Sequence, residues 1–332
     1  MNEILTRSPE SSEDQPSSGK PIEIDGQGKI WSVVFLIDGK HVVSGCGEGK
    51  IRRWRVEDGM EMGAPMDAGS AVYGIAVSRD GKWIVSGTQL GSVQVWNADD
   101  GKKVAEIKGH SSWVNAVDVS PDSTKIASGS YDRTVCVWSL STGQRLLGPW
   151  NHGDAFVVKF SPNGRFIATA TWNFIRIYDS QSGNIVVDVP IAVAYSHNYS
   201  LAWSSNNKHL FAVSHGKVIC LNASTGATLS QWSIHNNEDS CIALASDDAF
   251  IAASSGSSVS FWDVTTHKQI GSLIQHAADV ECMAILANHD VVTGSRNKIL
   301  LGSLCDTLPS SYCDTVSTFE SRTRFAAQLT TS

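Results

Sequence analysis

Short apolar segments recur along the chain at a nearly constant interval. Each is alternating or continuously apolar over about five residues and is rich in Val, Ile, Trp and Phe, a pattern typical of β-strands. The clearest copies are VSGCGEGKIRRW, VSGTQLGSVQVW and ASGSYDRTVCVW, which end at Trp54, Trp96 and Trp138. Weaker copies follow with the same period of about 40 residues, and they end at Tyr178, Leu221, Trp262 and Gly302.

Turn sequences separate the apolar segments inside each copy. VSPDSTK and FSPNGRF place Pro121 and Pro162 at the first corner of a turn, where the ring presets φ. No segment within the copies shows a helical period. Four short strands in a unit of about 40 residues are typical of one β-propeller blade. We therefore predict an all-β fold, a single propeller with seven blades.

The units resemble WD repeats. The third copy carries the GH dipeptide at Gly109-His110, a proline turn at 119–125, an SGS-x-D turn and the terminal Trp138. The resemblance covers about residues 20–305 and looks most like the WD-repeat arrays common in fungi. It implies four antiparallel strands per blade, with an N-terminal strand closing the last blade. PIEIDG, residues 21–26, is expected to pair beside residues 298–301, which would hide an open sheet edge.

The resemblance also implies a hydrogen-bonded network of His110, Ser128, Asp132 and Trp138. The first three residue types would also suit a hydrolase triad, but no GxSxG elbow accompanies them. We interpret them as structural, because buried polar groups must be paired. The segment GCGEGK at 45–50 departs from the phosphate-binding loop pattern in its spacing and in its last residue.

Arg53 occupies a place that is apolar in the six other copies. An unpaired buried charge is costly, so we expect this side chain to reach solvent or to pair with an acid. The favoured interpretation is a solvated strand with one salt bridge, and the alternative is a phosphate site.

Composition and charge narrow the class of protein. The net charge is −7, from 26 basic and 33 acidic residues, which disfavours nucleic-acid partners. No apolar run is long enough for a membrane span, and the N-terminus has no signal peptide. Seven cysteines without a CxxC pair indicate reduced thiols and no zinc site. We expect a cytoplasmic or nuclear protein that needs no metal or other cofactor.

Three regions are predicted along the chain. Residues 1–18 are rich in Ser, Glu and Pro and are expected to be disordered. Residues 19–305 form the propeller, and residues 306–332 form a Ser- and Thr-rich tail. A short helix at about 318–329 is a further prediction.

Members of the resembled family often bind partners at the loops that enter the innermost strands and at the tight turns. Carrying those places over copy by copy predicts an aromatic set and an acidic set. Residues 231–290 contain eight acidic side chains and a single basic one, Lys268, so the acidic set lies in the last copies. The predicted partner-binding residues are Trp31, Tyr73, Trp113, Asn115, Tyr131, Phe156, Trp172, Tyr199, Asp239, Asp279 and Glu281.

These features favour a non-catalytic scaffold or recognition subunit that binds a protein or peptide on one face. The partner is expected to be basic, with apolar anchors, and the chain to be a monomer within a larger complex. One alternative is a propeller enzyme with a metal or ligand in the central channel. Another is a substrate receptor of a ubiquitin ligase, although the arginine typical after the strand-end tryptophan is absent at Trp138 and Trp262.

Overall fold

The computed structural model describes residues 21–155, 157–191, 201–214, 216–234, 241–286 and 290–312. Seven four-stranded antiparallel sheets follow one another along the chain, each with its strands in sequence order except the last. The predicted seven-bladed all-β propeller is therefore confirmed. The predicted tail at 1–18 and the predicted helix at 318–329 lie outside the described residues.

The strand bounds follow the repeat. Blade 1 contains β2 (Ile30–Phe35), β3 (His41–Cys46), β4 (Lys50–Arg55) and β5 (Met66–Asp67). Blade 2 contains β6 (Val72–Val77), β7 (Trp83–Thr88), β8 (Ser92–Asn97) and β9 (Lys103–Lys108). Blade 3 contains β10 (Val114–Val119), β11 (Lys125–Ser130), β12 (Thr134–Ser139) and β13 (Arg145–Asn151). Blade 4 contains β14 (Val157–Phe160), β15 (Phe166–Ala170), β16 (Ile175–Asp179) and β17 (Ile185–Val189).

The last three blades are built in the same way. Blade 5 contains β18 (Leu201–Trp203), β19 (His209–Ser214), β20 (Lys217–Asn222) and β21 (Thr228–Ser233). Blade 6 contains β22 (Ile242–Leu244), β23 (Phe250–Ser255), β24 (Ser258–Asp263) and β25 (Gln269–Gln275). Blade 7 contains β26 (Val280–Ile285), β27 (Asp290–Ser295), β28 (Lys298–Ser303) and, from the other end of the chain, β1 (Ile22–Asp25).

The ring closes through β1, as predicted. This strand pairs antiparallel with β28, with Ile22 opposite Leu301 and Asp25 opposite Lys298. An ion pair of 3.0 Å between Lys298 and Glu23 lies on the same edge. The pairing leaves blade 7 with the same four strands as its neighbours, so no shorter sheet interrupts the ring.

The hydrophobic core lies between blades rather than inside each sheet. One cluster joins Val85 and Val95 of blade 2 to Val117 and Trp138 of blade 3, and similar clusters lie between other neighbouring blades. Each sheet can bury its faces only against the next sheet, so stability depends on the closed ring.

The propeller body extends past the predicted boundary at residue 305. Two 3-10 turns, Leu304–Asp306 and Ser310–Tyr312, follow β28. Leu304 and Leu308 are buried in the core cluster of blades 6, 7 and 1. The Tyr312 hydroxyl donates a 2.6 Å hydrogen bond to Asp263 of blade 6.

We call the end of the ring that carries the turns between the second and third strands of the blades the upper face. In blades 1 to 4 these turns are residues 47–49, 89–91, 131–133 and 171–174. The segments that lead into the innermost strands lie at the same end, because the first and second strands are antiparallel. The predicted partner-binding residues belong to these turns and segments.

Candidate functional site

Blade 3 contains a closed hydrogen-bond network directly below its upper turn. Trp138 Nε1 donates to Ser128 Oγ at 2.7 Å, and His110 Nε2 lies 2.7 Å from the same hydroxyl. His110 Nδ1 lies 2.9 Å from Asp132 Oδ2. A Cβ atom at Gly109 would collide with the Trp138 ring, which explains why glycine precedes the histidine. All four predicted residues thus belong to one connected network, in which His110 and Ser128 link Asp132 to Trp138.

The charges in this network favour a structural role. Burial lowers the pKa of His110, and the neighbouring Asp132 carboxylate only partly opposes this. Although burial alone would raise it, hydrogen bonds from Thr134, Ser111 and His110 hold the pKa of Asp132 below its ordinary value. Ser128 is fully buried, so a substrate cannot reach its hydroxyl. The set therefore lacks the access that a hydrolase triad needs.

Two other blades keep a shorter version of the network. In blade 4, His152 Nε2 bonds Thr169 Oγ1, and in blade 7 His276 Nε2 lies 2.6 Å from Thr293 Oγ1. Burial, with a smaller effect of Arg176, lowers the pKa of His152 to about 3. Burial also lowers the pKa of His276 to about 4. Both rings are therefore neutral inside the folded protein near pH 7.

Four aromatic side chains from three blades form a continuous row on the upper face. Trp31 and Tyr73 have ring centroids 5.4 Å apart, and Tyr73 stacks on Trp113 at 5.3 Å. Trp113 meets Tyr131 edge to face at 5.4 Å. We call these four residues the aromatic cluster. The spacing falls within the range at which aromatic pairs attract one another.

The members of the aromatic cluster are unequally exposed. Trp113 is 39 % exposed, whereas Trp31 and Tyr131 are half-buried. Tyr73 is almost fully buried, so it supports the neighbouring rings rather than presenting its own. Burial, with a contribution from Tyr131, raises the pKa of Tyr73. The cluster therefore offers one prominent indole on a preformed aromatic base.

A bulge in the innermost strand aims several of these side chains. The register shifts between Ile30 and Ser32 in blade 1 and between Val72 and Gly74 in blade 2, which places Trp31 and Tyr73 on the bulges. The same shift in blades 3 and 7 places Asn115 and Glu281 at the equivalent positions. Bulges commonly re-aim a side chain at the edge of a sheet.

Asn115, one of the predicted partner-binding residues, does not reach the upper face. Its side chain is fully buried, and neither amide atom has a hydrogen-bond partner among the described residues. The physical reason is length, because the amide is much shorter than the indole of Trp31 or the phenol of Tyr73 at the same place. It ends inside the protein instead of reaching the face.

The acidic set reaches the aromatic cluster through one lysine. Lys29 Nζ lies 2.8 Å from Glu281 Oε1 of blade 7 and 3.8 Å from the centre of the Trp31 ring. Asp279 is exposed two residues before Glu281. An aromatic and an acidic residue thus share Lys29 where blade 7 meets blade 1, and their role in partner binding stays a prediction.

The other predicted residues are more dispersed. Trp172 is 45 % exposed in the upper turn of blade 4. Phe156, Tyr199 and Asp239 lie outside the described residues. The described part of the site is therefore centred on blades 7, 1, 2 and 3.

The structure also shows charged residues in the central channel that the sequence reading did not single out. Five blades place a small or apolar residue at one level of the channel wall, whereas blades 3 and 4 place Asp118 and Lys159 there. Asp118 Oδ2 accepts a 2.7 Å hydrogen bond from the Phe160 backbone N–H. Burial raises the pKa of Asp118, and Lys159 opposes this. Comparing equivalent positions of the repeat could have revealed this pair.

The contacts of Arg53 differ from the salt bridge that the sequence predicted. Its Nη1 donates to the backbone carbonyls of Ala98 and Asp99, each at 2.7 Å. No carboxylate lies within 4.0 Å of it among the described residues. The buried salt bridge belongs to its neighbour Arg52, which pairs with Glu61 at 2.7 Å. Carbonyl oxygens of blade 2 thus replace the acid that we expected for Arg53.

Within the described ranges, no group of three or more His, Cys, Asp or Glu side chains is arranged to hold a metal ion. Among the same residues, no helix has the length and apolar character for crossing a bilayer.

Four segments of the chain match the family profile described as WD domain, G-beta repeat: residues 19–55, 66–97, 101–139 and 150–179. They correspond to blades 1 to 4, where the motifs are most complete. No curated protein matches the chain with significant similarity. The match does not separate fungal arrays from other repeats of this kind, so that finer likeness stays a prediction.

Proposed function

We propose that this chain, which belongs to the WD40-repeat family of β-propellers, is a non-catalytic scaffold. In this proposal the aromatic cluster binds a protein or peptide. Propellers of this family are typically protein-interaction scaffolds. The proposed binding surface is the upper face, and the proposed anchors are side chains of the aromatic cluster. The observation that carries it is the continuous row of rings from Trp31 to Tyr131 on the upper face.

The aromatic cluster has the properties of an interface hot spot. Trp and Tyr are enriched in such spots because they bury large rigid surfaces at low entropic cost. Trp113 is exposed, but its position is fixed by contacts with Tyr73 on one side and Tyr131 on the other. A preorganised ring loses little freedom on binding, so more of its contact energy appears as affinity.

The upper face offers a second kind of contact beside the rings. Glu281 and Asp279 border the cluster at blade 7, and Lys29 joins them to Trp31. A partner that combines apolar anchors with basic side chains would satisfy both regions. This supports the basic peptide or protein that the sequence suggested.

The cellular setting is part of the same proposal. The six described cysteines are free thiols, and five of them are buried. Reduced thiols suit a reducing compartment, so we place the protein in the cytoplasm or nucleus, as a monomeric subunit of a larger complex. The two alternative functions stay predictions. They are an enzyme with a site in the central channel and a substrate receptor of a ubiquitin ligase.

The test is affinity capture from native lysate with intact protein and the Trp113→Ala/Tyr131→Ala double variant. We expect a stoichiometric partner on the intact protein and a loss of at least about thirty-fold in its affinity for the variant, since hot-spot residues contribute about 2 kcal/mol or more. Leu229→Ala/Leu273→Ala is the matched control, because both leucines are exposed on outer strands.

Folding of each variant is checked by circular dichroism and thermal melting. If the double variant unfolds, Trp113→Leu removes the indole while keeping an apolar side chain on the same backbone. Equal capture by intact protein and folded variants would show that the partner binds elsewhere, and the proposal would fail.

A further inference from the structure

One end of the aromatic cluster already holds a cation, which the chain itself supplies. Lys29 Nζ lies over the Trp31 ring, 3.8 Å from its centre, and 2.8 Å from Glu281 Oε1. An aromatic face and a carboxylate together attract an ammonium or guanidinium group. Trp31 and Glu281 occupy equivalent bulges in blades 1 and 7, so the two halves of this cation site are built by the same backbone feature.

The bound lysine is in a position to leave. Its side chain is 42 % exposed, and it precedes β2 in the segment that joins the closing strand to blade 1. An exposed ion pair is weak, because water screens it and two flexible side chains must be held together. Moving Lys29 into solvent would therefore cost little and would uncover both the Trp31 face and the Glu281 carboxylate.

The charged residues around this site favour a cationic rather than an anionic group in place of Lys29. Glu48 lies against Gly28, the residue before Lys29, and Asp279 is close to Glu281 in the chain. Without Lys29, the segments around this site carry these three acidic residues and one basic residue of the adjoining turn, Arg296, whose backbone carbonyl accepts a hydrogen bond from the Ile30 N–H. Anionic groups would meet net repulsion here.

We propose that the partner inserts a lysine or arginine side chain between Trp31 and Glu281 in place of Lys29. Lys29 is then an internal competitor that lowers the affinity of the site for other cations. Partners that carry a lysine or arginine able to displace Lys29 are favoured. The inference rests on the proposed function, because it names the chemistry that the partner brings to the aromatic cluster.

The experiment uses four tripeptide probes, Ac-Gly-X-Gly-NH2, with X as Lys, Arg, Gln or Glu. The intact protein is labelled with 5-fluorotryptophan, and the Trp31 resonance is assigned with Trp31→Phe. Titration followed by 19F NMR reports binding at this ring directly. We expect the Lys and Arg probes to shift the Trp31 signal and the Gln and Glu probes to leave it unchanged.

The variants give opposite expectations for the two charged residues. Lys29→Gln should tighten binding of the Lys and Arg probes about five-fold, since it removes a competitor of the strength of an exposed ion pair. Glu281→Gln should weaken the same binding by a similar factor. Lys50→Gln, which breaks a comparable surface pair with Asp67 at 2.8 Å, is the matched control and should change nothing.

The proposal is overturned if Lys29→Gln weakens cationic-probe binding or leaves it unchanged, or if the Glu probe binds in its place. Binding of the Glu probe would make Lys29 a contact for an acidic partner. These outcomes are distinct from failure of the proposed function. If only the proposed function failed, the Lys and Arg probes would still bind at Trp31, while lysate capture would be unaffected by loss of Trp113 and Tyr131.

Discussion

Mild acid should destabilise this propeller through two buried histidines. His152 is held between the Phe174 and Tyr178 rings, with centroids 5.1 and 5.9 Å away, and only its Nε2 has a hydrogen-bond partner among the described residues. His276 is buried against Thr293. Among the described residues no carboxylate forms an ion pair with either imidazole, and the charge of Glu23 only partly opposes the effect of burial on the pKa of His276, so neither ring can gain a proton without cost.

The size of the effect follows from the pKa values. Burial lowers the pKa of His152 from 6.5 to about 3 and that of His276 from 6.5 to about 4. Above pH 6.5 both are neutral in folded and unfolded chains, so they do not affect the free energy of unfolding. Below pH 6.5 only the unfolded chain takes up the protons, and stability falls by about 1.4 kcal/mol per pH unit for each histidine.

At pH 5 the loss is therefore about 2 kcal/mol for each histidine and about 4 kcal/mol for both. That is a large part of the 5 to 15 kcal/mol typical of a folded domain. Carboxylates whose pKa is lowered in the folded chain, such as Asp132, add to acid sensitivity only below about pH 4. The interval between pH 6.5 and 5 thus separates the histidines from these carboxylates, whereas Asp118, whose pKa burial raises, acts in the opposite direction as the pH falls.

The measurement is urea denaturation at 25 °C between pH 7.5 and 5, followed by tryptophan fluorescence. We compare the intact protein with His152→Gln, His276→Gln and the double variant, because glutamine can still hydrogen-bond a threonine but does not titrate. Each single variant should remove a similar share of the pH dependence, and the double variant should keep only the share of groups such as His110, whose pKa is also lowered by burial. An unchanged slope in the double variant would refute the reasoning.

Two further predictions concern blade 3. Ser128→Ala should lower the free energy of unfolding by about 2 to 4 kcal/mol, because it leaves His110 Nε2 and Trp138 Nε1 buried without their partner; urea denaturation measures this, and a loss no larger than that of the exposed control Ser141→Ala would contradict it. Asn115→Leu should raise the urea midpoint by the equivalent of about 1 kcal/mol, because an apolar side chain replaces a buried amide that has no partner among the described residues. A lower midpoint would show that the amide is satisfied in solution.

The fold was predictable because each repeat carries its own strand and turn signals. The segment ending at Trp54 and the segment ending at Trp96 both became the second and third strands of a blade. The closing strand was predictable for the same reason, since residues 21–26 resemble another outer strand. Local sequence patterns were therefore sufficient to predict the strands of one blade, and the repeat extended that prediction to the other blades.

The site was less predictable because it depends on contacts between blades. Position alone placed Trp31 and Asn115 at equivalent points, but side-chain length decided that one reaches the face and the other is buried. The pairing of Lys29 with Glu281 joins residues far apart in sequence, and only closure of the ring brings them together. Copy-by-copy comparison identifies candidate places but not which neighbours share a contact.

The seam of the ring and the proposed cation site are the same part of the molecule. The backbone N–H groups of Gly26 and Ile30 donate to the carbonyls of Asn297 and Arg296, which ties the segment around Lys29 to blade 7. A partner cation held by both Trp31 and Glu281 would bridge blade 1 to blade 7 beside the seam where β1 pairs with β28. Any ligand that binds only the closed ring must also stabilise that closure, by a free energy that grows with the logarithm of its concentration over its dissociation constant. A cation held at the seam therefore adds a direct contact between the first and last blades, which a site within a single blade would not do.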